Sequence, residues 1–216
     1  MAEVKRQYDA SGRREQARQR RRTVVAAARE LFETDGFQAT TIAAVARRAG
    51  VSPESIYKGF GTKAALAKAV FDQVIAGDDD PIPVAERPQA RSVRAEPDVR
   101  RKLELYVEGM VERAERSARV QIMIRDGRHS DETLQETWQT LLDERLAGMT
   151  ALAGHLVETG DLRPGLEVAE VADILWTYIS VELYELLVVI RGWSPRRYGQ
   201  FVVTGLTGSL LPDPSA

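Results

Sequence analysis

Residues 42–60 constrain the fold most, because they hold two short helical patterns separated by one tight turn. Gly50 ends the first pattern, and Ser52-Pro53 supplies an N-cap and a first-turn proline for the second. A small residue stands at position 46, where two such helices would cross, and Ile56 can reach back to the apolar side of the first helix. Two short helices with a Gly-containing turn are typical of a helix-turn-helix. The stretch therefore predicts that motif.

The outer side of the second helix, and the helix starts beside it, present candidate DNA contacts. In a helix-turn-helix, the N-terminal residues of the second helix approach base edges in the major groove. Backbone N–H groups and hydroxyls at a helix start suit a phosphate, and a lysine can pair with a phosphate as a point cation. Tyr57 can alternatively be a half-buried aromatic. The candidate DNA-binding residues of this region are Thr40, Thr41, Ser52, Pro53, Glu54, Ser55, Tyr57, Lys58, Thr62 and Lys63.

Glu54 leaves two interpretations open. A carboxylate that faces DNA is repelled by phosphate, unless it accepts a hydrogen bond from a cytosine amino group. In the first turn of a helix, the same carboxylate is favoured by the helix dipole. The sequence does not choose between a base contact and a helix start.

The charge is unevenly distributed along the chain. The net charge is −2, yet residues 1–76 contain 14 Lys/Arg and 8 Asp/Glu. Residues 13–22 hold six Arg, including Arg20, Arg21 and Arg22, which we predict to bind phosphates or reach into a minor groove. The alternative is a solubilising tail. This difference in charge between the two parts of the chain suggests a basic module that binds an anion, joined to an acidic body.

Helical spacing of apolar residues continues through almost the whole sequence, which predicts an all-α fold of about nine helices. The predicted organisation is a disordered tail over 1–12, a three-helix DNA-binding domain over 13–61 and a connecting helix over 62–76. A Pro/Asp-rich loop follows over 77–97. A helical ligand-binding and dimerisation bundle is predicted over 98–216. Its helical patterns include a short one around 117–126 and longer ones at about 131–159, 168–190 and 195–211.

Aromatic and sulfur-containing side chains of the predicted bundle are candidates for a pocket that binds a small, largely apolar ligand, although for any one of them core packing is the simpler interpretation. The candidate pocket residues are Tyr106, Met110, Met123, Trp138, Leu142, His155, Trp176, Ile179 and Glu182. The 168–190 segment is apolar on almost every side and needs a second burial surface. A four-helix dimer interface of the last two helices is therefore predicted, with Val188, Val202, Gly205, Leu206, Gly208 and Leu210.

Several classes of protein are disfavoured. The chain has no cysteine and only two histidines, which are not paired at helical spacing, so no metal and no cofactor is predicted. Common hydrolase and phosphate-loop motifs are absent, so an enzyme is not predicted. The N-terminal region lacks the apolar core of a signal peptide, and the cytoplasm is expected. An all-helical protein-interaction module that does not bind DNA remains the alternative.

Residues 24–71 resemble the DNA-binding region of the TetR family of transcriptional repressors. The resemblance is closest in "TTIAAVARRAGVS" and "IYKGFGTKAAL". It implies a ligand-responsive regulator that binds a palindromic operator as a homodimer and is released from DNA by a small-molecule effector. By resemblance, Thr41, Tyr57 and Lys63 fall on phosphate-contacting positions. The start of the motif's second helix, which is the third helix of the predicted domain, falls on base-contacting positions. The remaining two-thirds of the chain match the family in layout only.

Overall fold

The computed structural model describes residues 2–77 and 86–213, and of residues 2–11 it describes the backbone alone. Every regular element of the described residues is helical, which confirms the predicted all-α fold. The α-helices are α1 (Ala2–Ala39, interrupted at Gly36), α2 (Ile42–Ala49), α3 (Pro53–Phe60), α4 (Lys63–Ala76), α5 (Pro88–Ala95), α6 (Val99–Gly127), α7 (Glu132–Glu158), α8 (Val168–Tyr178), α9 (Val181–Tyr184) and α10 (Pro195–Leu210). Residues Glu185–Ile190 continue α9 as a π-helical segment.

Three boundaries differ from those expected. The predicted tail over 1–12 lies largely within α1, whose first turns have no apolar stripe that could have indicated a helix. Of the predicted 77–97 loop, residues 78–85 lie outside the described residues and residues 88–95 form α5. Helix α6 runs without a break through residue 117, because the buried Ser117 hydroxyl donates to the Arg113 carbonyl at 2.7 Å and is satisfied inside the helix.

The predicted 168–190 helix is divided. Helix α8 ends at Tyr178, and Ser180 begins α9 as an N-cap whose hydroxyl accepts from the Leu183 N–H at 3.4 Å. A serine inside an apolar run thus starts a new helix, because its side chain competes for backbone donors.

The chain forms two compact units, of which the first comprises Met1–Gln73 and Met123–Thr137. Its core contains the stacked rings of Phe32 and Phe37, whose centroids are 5.8 Å apart, and the fully buried Leu66. The turn between α6 and α7 belongs to this unit. A Cβ at Gly127 would lie 2.5 Å from the buried Leu134 side chain, so any larger residue there would require Leu134 to shift.

The second unit comprises Val74–Ile122 and Trp138–Ala216. Helix α10 packs on α8 and on the π-helical segment. Tyr198 is fully buried, meets Tyr184 edge-on at 5.2 Å between centroids, and donates its hydroxyl to the Tyr178 carbonyl at 3.3 Å. No helix within the described residues is long and apolar enough to span a bilayer.

Candidate functional site

The turn between α2 and α3 has the geometry that its sequence predicts. Gly50 adopts φ 67° and ψ 34°, a left-handed conformation that glycine tolerates without a steric penalty. Its N–H donates to carbonyls of the last turn of α2, and the Val51 N–H donates to the Ala46 carbonyl at 3.0 Å. Ala46 and Ile56 are 2% and 1% exposed, so both belong to the core of this motif. The two helices are therefore locked together by a small side chain, a left-handed turn and one buried branched side chain.

The other side of α3 is open to solvent. Ser52 caps the helix, since its hydroxyl accepts from the Ser55 N–H at 3.3 Å, and Pro53 occupies the first turn. Tyr57 is 54% exposed, so much of its ring is open to solvent. Lys58 lies beside it and is also exposed. The exposed side chains of α3 and its N-cap therefore present hydroxyls, one aromatic ring, one cation and the Glu54 carboxylate.

The two threonines at the start of α2 have different positions. Thr41 is exposed, and its hydroxyl accepts from the Ala44 N–H at 3.1 Å, which makes it the N-cap. Thr40 is 1% exposed, and its hydroxyl donates to the Gly36 carbonyl at 2.8 Å. Thr41 can present polar atoms to a phosphate, whereas the Thr40 hydroxyl stabilises the end of α1. At the start of α4, the exposed Thr62 is placed like Thr41, and its hydroxyl accepts from the Ala65 N–H at 3.0 Å.

The Lys63 ammonium points into the first unit. It donates to the Phe37 carbonyl at 2.8 Å and to the Thr40 carbonyl at 3.0 Å, and it lies 4.1 Å from the centroid of the Phe37 ring. Burial lowers the pKa of Lys63, and the Asp131 carboxylate opposes that effect. Lys63 therefore ties the start of α4 to the junction of α1 and α2.

The three candidate arginines of α1 have different surroundings. Arg20 is exposed and Arg22 is half-buried. Arg21 donates to the Gly59 carbonyl at 3.4 Å, and its guanidinium carbon lies 4.3 Å from the centroid of the Phe60 ring. Arg21 thus connects α1 to the end of α3 and holds positive charge beside the exposed face of that helix.

The Glu54 carboxylate has local partners. Its own backbone N–H, followed by the Ser52 side chain, lowers the pKa of Glu54. The donors belong to the first turn of α3 and to its N-cap, which supports the helix-start interpretation.

The candidate pocket residues do not all lie in one unit. Met123 falls in the first unit, and the other eight fall in the second. Among those eight, Met110 and Trp138 are buried, and Tyr106 donates its hydroxyl to the Met149 sulfur at 3.3 Å. Leu142, His155, Trp176 and Ile179 are half-buried, and Glu182 is exposed. A groove of about 560 Å³ on this unit, lined by α6 and α10, contains none of the eight.

His155 has a buried cationic neighbour. Its Nε2 lies 2.8 Å from the ammonium of Lys102, which is 2% exposed, and 3.2 Å from the Arg94 carbonyl. This cluster connects α5, α6 and α7, so His155 contributes to packing as well as to any pocket.

The candidate dimer residues all lie in the second unit, but they differ in burial. Val202, Leu206 and Leu210 are fully buried within the second unit, and a Cβ at Gly205 would lie 2.3 Å from the Tyr178 ring. Val188 is half-buried and Gly208 is exposed. The large exposed apolar side chains near them are Leu186, Val189, Ile190 and Phe201. Leu186, Val189 and Ile190 lie in the π-helical segment, which shifts the register of its side chains, so a 3.6-residue period did not identify them, whereas Phe201 lies on α10.

Comparisons with known proteins agree with this architecture. Residues 24–70 match the family described as "Bacterial regulatory proteins, tetR family". The FadR regulator of Bacillus subtilis, solved in complex with stearoyl-CoA, is 18% identical, with a TM-score of 0.68 over 85% of this chain and 96% of that one. NalD, the secondary repressor of the MexAB-OprM multidrug efflux pump in Pseudomonas aeruginosa, is 22% identical, with a TM-score of 0.68 over 92% and 99% of the two chains. The fatty acid degradation regulator FadR of Bacillus halodurans is 16% identical, with a TM-score of 0.68 over 88% and 95%.

At these identities the solved structures establish the fold. No curated protein matches the chain. The family match covers α2, α3 and most of α4, which carry the geometry described above. Regulators of this family are transcription factors and not enzymes. The N-terminal domain of this chain is that of the tetR family of bacterial regulatory proteins, as its sequence predicted.

Proposed function

We propose that the protein is a sequence-specific DNA-binding repressor, which binds a palindromic operator as a homodimer and is released by a small, largely apolar effector. The observation that carries this proposal is the exposed face of α3. Ser52, Ser55, Tyr57 and Lys58 all lie on it, while Ile56 anchors the opposite side in the core. A helix held in this way can enter a major groove without losing its packing.

Electrostatics favour the same function. Residues 1–76 carry more basic than acidic side chains, although the whole chain is slightly acidic. The positive charge of Arg20 and Arg21 lies on α1, and Arg21 reaches the end of α3. Cations beside an exposed recognition helix supply the phosphate contacts that position a protein on a duplex.

The test is a selection of bound genomic fragments by the full chain at low salt, followed by a fluorescence-anisotropy titration with any duplexes selected. We expect affinity that falls steeply with salt, and a loss of about tenfold or more for Tyr57→Ala, because the DNA contact of the Tyr57 side chain is lost. Leu146→Ala is the matched control, since Leu146 is a 41% exposed side chain of the second unit. Absence of binding at low salt would instead favour a protein-interaction module.

The homodimer is proposed to form through the apolar surface of Leu186, Val189, Ile190 and Phe201, with Val188 and Gly208 beside it. Ile190 is 67% exposed and Val189 is 57% exposed, which is unusual for neighbouring aliphatic side chains. A second copy is the occupant that we propose, because two recognition helices double the contact with a palindromic site.

We expect Ile190→Glu to convert the dimer to monomers in size-exclusion chromatography with light scattering, while its circular dichroism stays unchanged. Ala169→Glu, at an exposed position on α8, is the matched control. Leu206→Glu is unsuitable, because Leu206 is fully buried and a charge there would unfold the unit. A dimer that persists in Ile190→Glu at micromolar concentration would contradict this interface.

Effector release is proposed as a population shift. A ligand releases DNA only if it binds the DNA-free state more tightly than the bound state. The similar structures include one with stearoyl-CoA bound and one described as a repressor, which supports both a small-molecule effector and repression.

A further inference from the structure

Helix α7 carries a buried guanidinium whose donors are not used. Nε and Nη1 of Arg145 are buried, and no acceptor among the described residues takes a hydrogen bond from them. The same is true of the Trp176 indole N–H on α8. The guanidinium carbon of Arg145 lies 4.5 Å from the centroid of the Trp176 ring, so these donors belong to one cluster. Buried donors in folded proteins are almost always paired, and this cluster is therefore exceptional.

The polar side chains that interact with Arg145 electrostatically, Tyr106 and Glu182, take no hydrogen bond from its buried Nε and Nη1. The Tyr106 hydroxyl donates to the Met149 sulfur at 3.3 Å, and its oxygen interacts with Arg113, which also donates to Gln89 at 3.2 Å. Glu182 is the acidic residue that interacts with Arg145 electrostatically, but it is exposed and forms no ion pair with Arg145 among the described contacts.

The cluster contains two guanidiniums, and the acidic residues that act on Arg145 and Arg113 electrostatically are Glu182 and Glu112, respectively. Burial lowers the pKa of both Arg145 and Arg113, which means that each guanidinium lacks full compensation for its lost hydration. Both remain charged, because an arginine side chain is not deprotonated in proteins. An anion is the partner that would compensate them.

The face of α7 that carries Arg145 is mainly apolar. Trp138, Leu142 and Met149 precede or follow Arg145 by seven, three and four residues, which places all four on one face of α7. Trp138 and Met149 are buried, and Leu142 is half-buried. The body of a ligand bound at Arg145 would therefore meet aromatic and aliphatic side chains.

We propose that Arg145 is the anion-binding residue of the effector site, and that the effector is an organic monocarboxylate with an apolar body. This proposal rests on the proposed function, since it specifies the chemical class of the effector. A carboxylate matches the planar fork of a guanidinium and accepts two parallel hydrogen bonds. The Trp176 N–H adds a donor in the same cluster, and the apolar body packs along α7.

Binding to the free protein tests this directly. The probes are decanoate and 4-phenylbutanoate, each compared with its primary amide by isothermal titration calorimetry and tryptophan fluorescence. We expect at least one carboxylate to bind wild type about tenfold or more tightly than its amide, because charge-assisted hydrogen bonds are lost in the amide. Arg145→Met should remove this preference, and Arg145→Lys should keep part of it.

Arg119→Met, at an exposed position of α6, is the matched control and should behave like wild type. Equal binding of carboxylate and amide, an unchanged preference in Arg145→Met, or no binding of either carboxylate at millimolar concentration would overturn the proposal. Full competition by equimolar chloride or inorganic phosphate would also overturn it, because the site would then hold any small anion.

A second measurement needs no ligand. If Arg145 serves to bind an effector and not to stabilise the fold, its replacement by methionine removes a buried charge that lacks a partner. We therefore expect the Tm of the free protein to rise by about 2–4 °C. A fall in Tm would mean that Arg145 is structural and would contradict the proposal. Both measurements are made without DNA. A protein that binds carboxylates but never releases DNA would therefore refute the proposed function and leave the anion site intact.

Discussion

Replacing Lys63 by methionine separates two roles that one lysine could have. The resemblance places Lys63 on a phosphate-contacting position, whereas in the structure its ammonium donates to the carbonyls of Phe37 and Thr40 at 2.8 and 3.0 Å. Methionine keeps most of the apolar stem of the side chain and removes only the charge and the donors. The exposed Lys58 on α3 provides the matched control, because Lys58→Met makes the same chemical change at a position open to solvent.

The expected cost comes from the contacts that disappear. Hydrogen bonds that involve a charged group contribute about 1.5–3 kcal/mol, and values at the lower end suit a half-buried ammonium. The contact with the Phe37 ring at 4.1 Å adds about 0.5–1 kcal/mol. We therefore expect Lys63→Met to destabilise the α1–α2 junction by about 2–3 kcal/mol. Lys58→Met should change stability by less than about 0.5 kcal/mol.

Amide hydrogen exchange of α2 in the full chain measures this locally. A loss of that size should accelerate exchange in α2 by roughly 30- to 160-fold. The salt dependence of DNA binding gives the second readout. Lys58→Met should lower the slope of log affinity against log salt by about 0.9 if it removes one phosphate contact, and Lys63→Met should leave the slope unchanged. Unchanged exchange together with a reduced slope in Lys63→Met would refute the structural role of this lysine.

Three further predictions concern the same domain. Ala46→Leu should destabilise the full chain by about 1–3 kcal/mol in urea denaturation, because Ala46 is 2% exposed where α2 crosses α3. Ala43→Leu, at an exposed position of α2, should be nearly neutral. Equal stabilities of the two variants would contradict the close crossing. Changing Arg20, Arg21 and Arg22 together to Gln should weaken DNA binding and flatten its salt slope, and identical affinities at low and high salt would count against phosphate contacts by α1. Glu54→Gln should tighten DNA binding, because it removes a carboxylate that phosphate repels. The selected bases should not change, because the Glu54 carboxylate is held at the start of α3. A new base preference would show instead that Glu54 contacts a base.

Much of the helix-turn-helix region was predictable because its determinants are local. Gly50 needs a left-handed conformation, Ser52 needs a nearby backbone donor, and both requirements are visible within a few residues of sequence. The direction of the Lys63 ammonium was not predictable, because its acceptors are the carbonyls of residues 37 and 40, which only the folded unit brings near. The same applies to the 123–137 segment, whose place in the first unit depends on distant contacts such as that of Gln38 with Ser130 at 2.7 Å.

The second unit was harder to predict in detail. Leu206 and Leu210 satisfy the pattern of an interface helix equally well whether they face a second copy or their own core, and the structure buries them within the unit. The exposed face instead includes Val189 and Ile190, in a π-helical segment that a 3.6-residue period cannot describe. Arg145 resembles any polar residue of an amphipathic helix until the burial of its donors is known.

Selection of bound duplexes from a random-sequence pool by the full-length protein tests the central claim most directly. If α3 enters the major groove and the protein binds as a homodimer, the enriched sequence should contain two inverted half-sites with centres about 34–36 Å apart or a multiple of that distance. No enrichment at low salt, or an enriched sequence without twofold symmetry, would contradict the account.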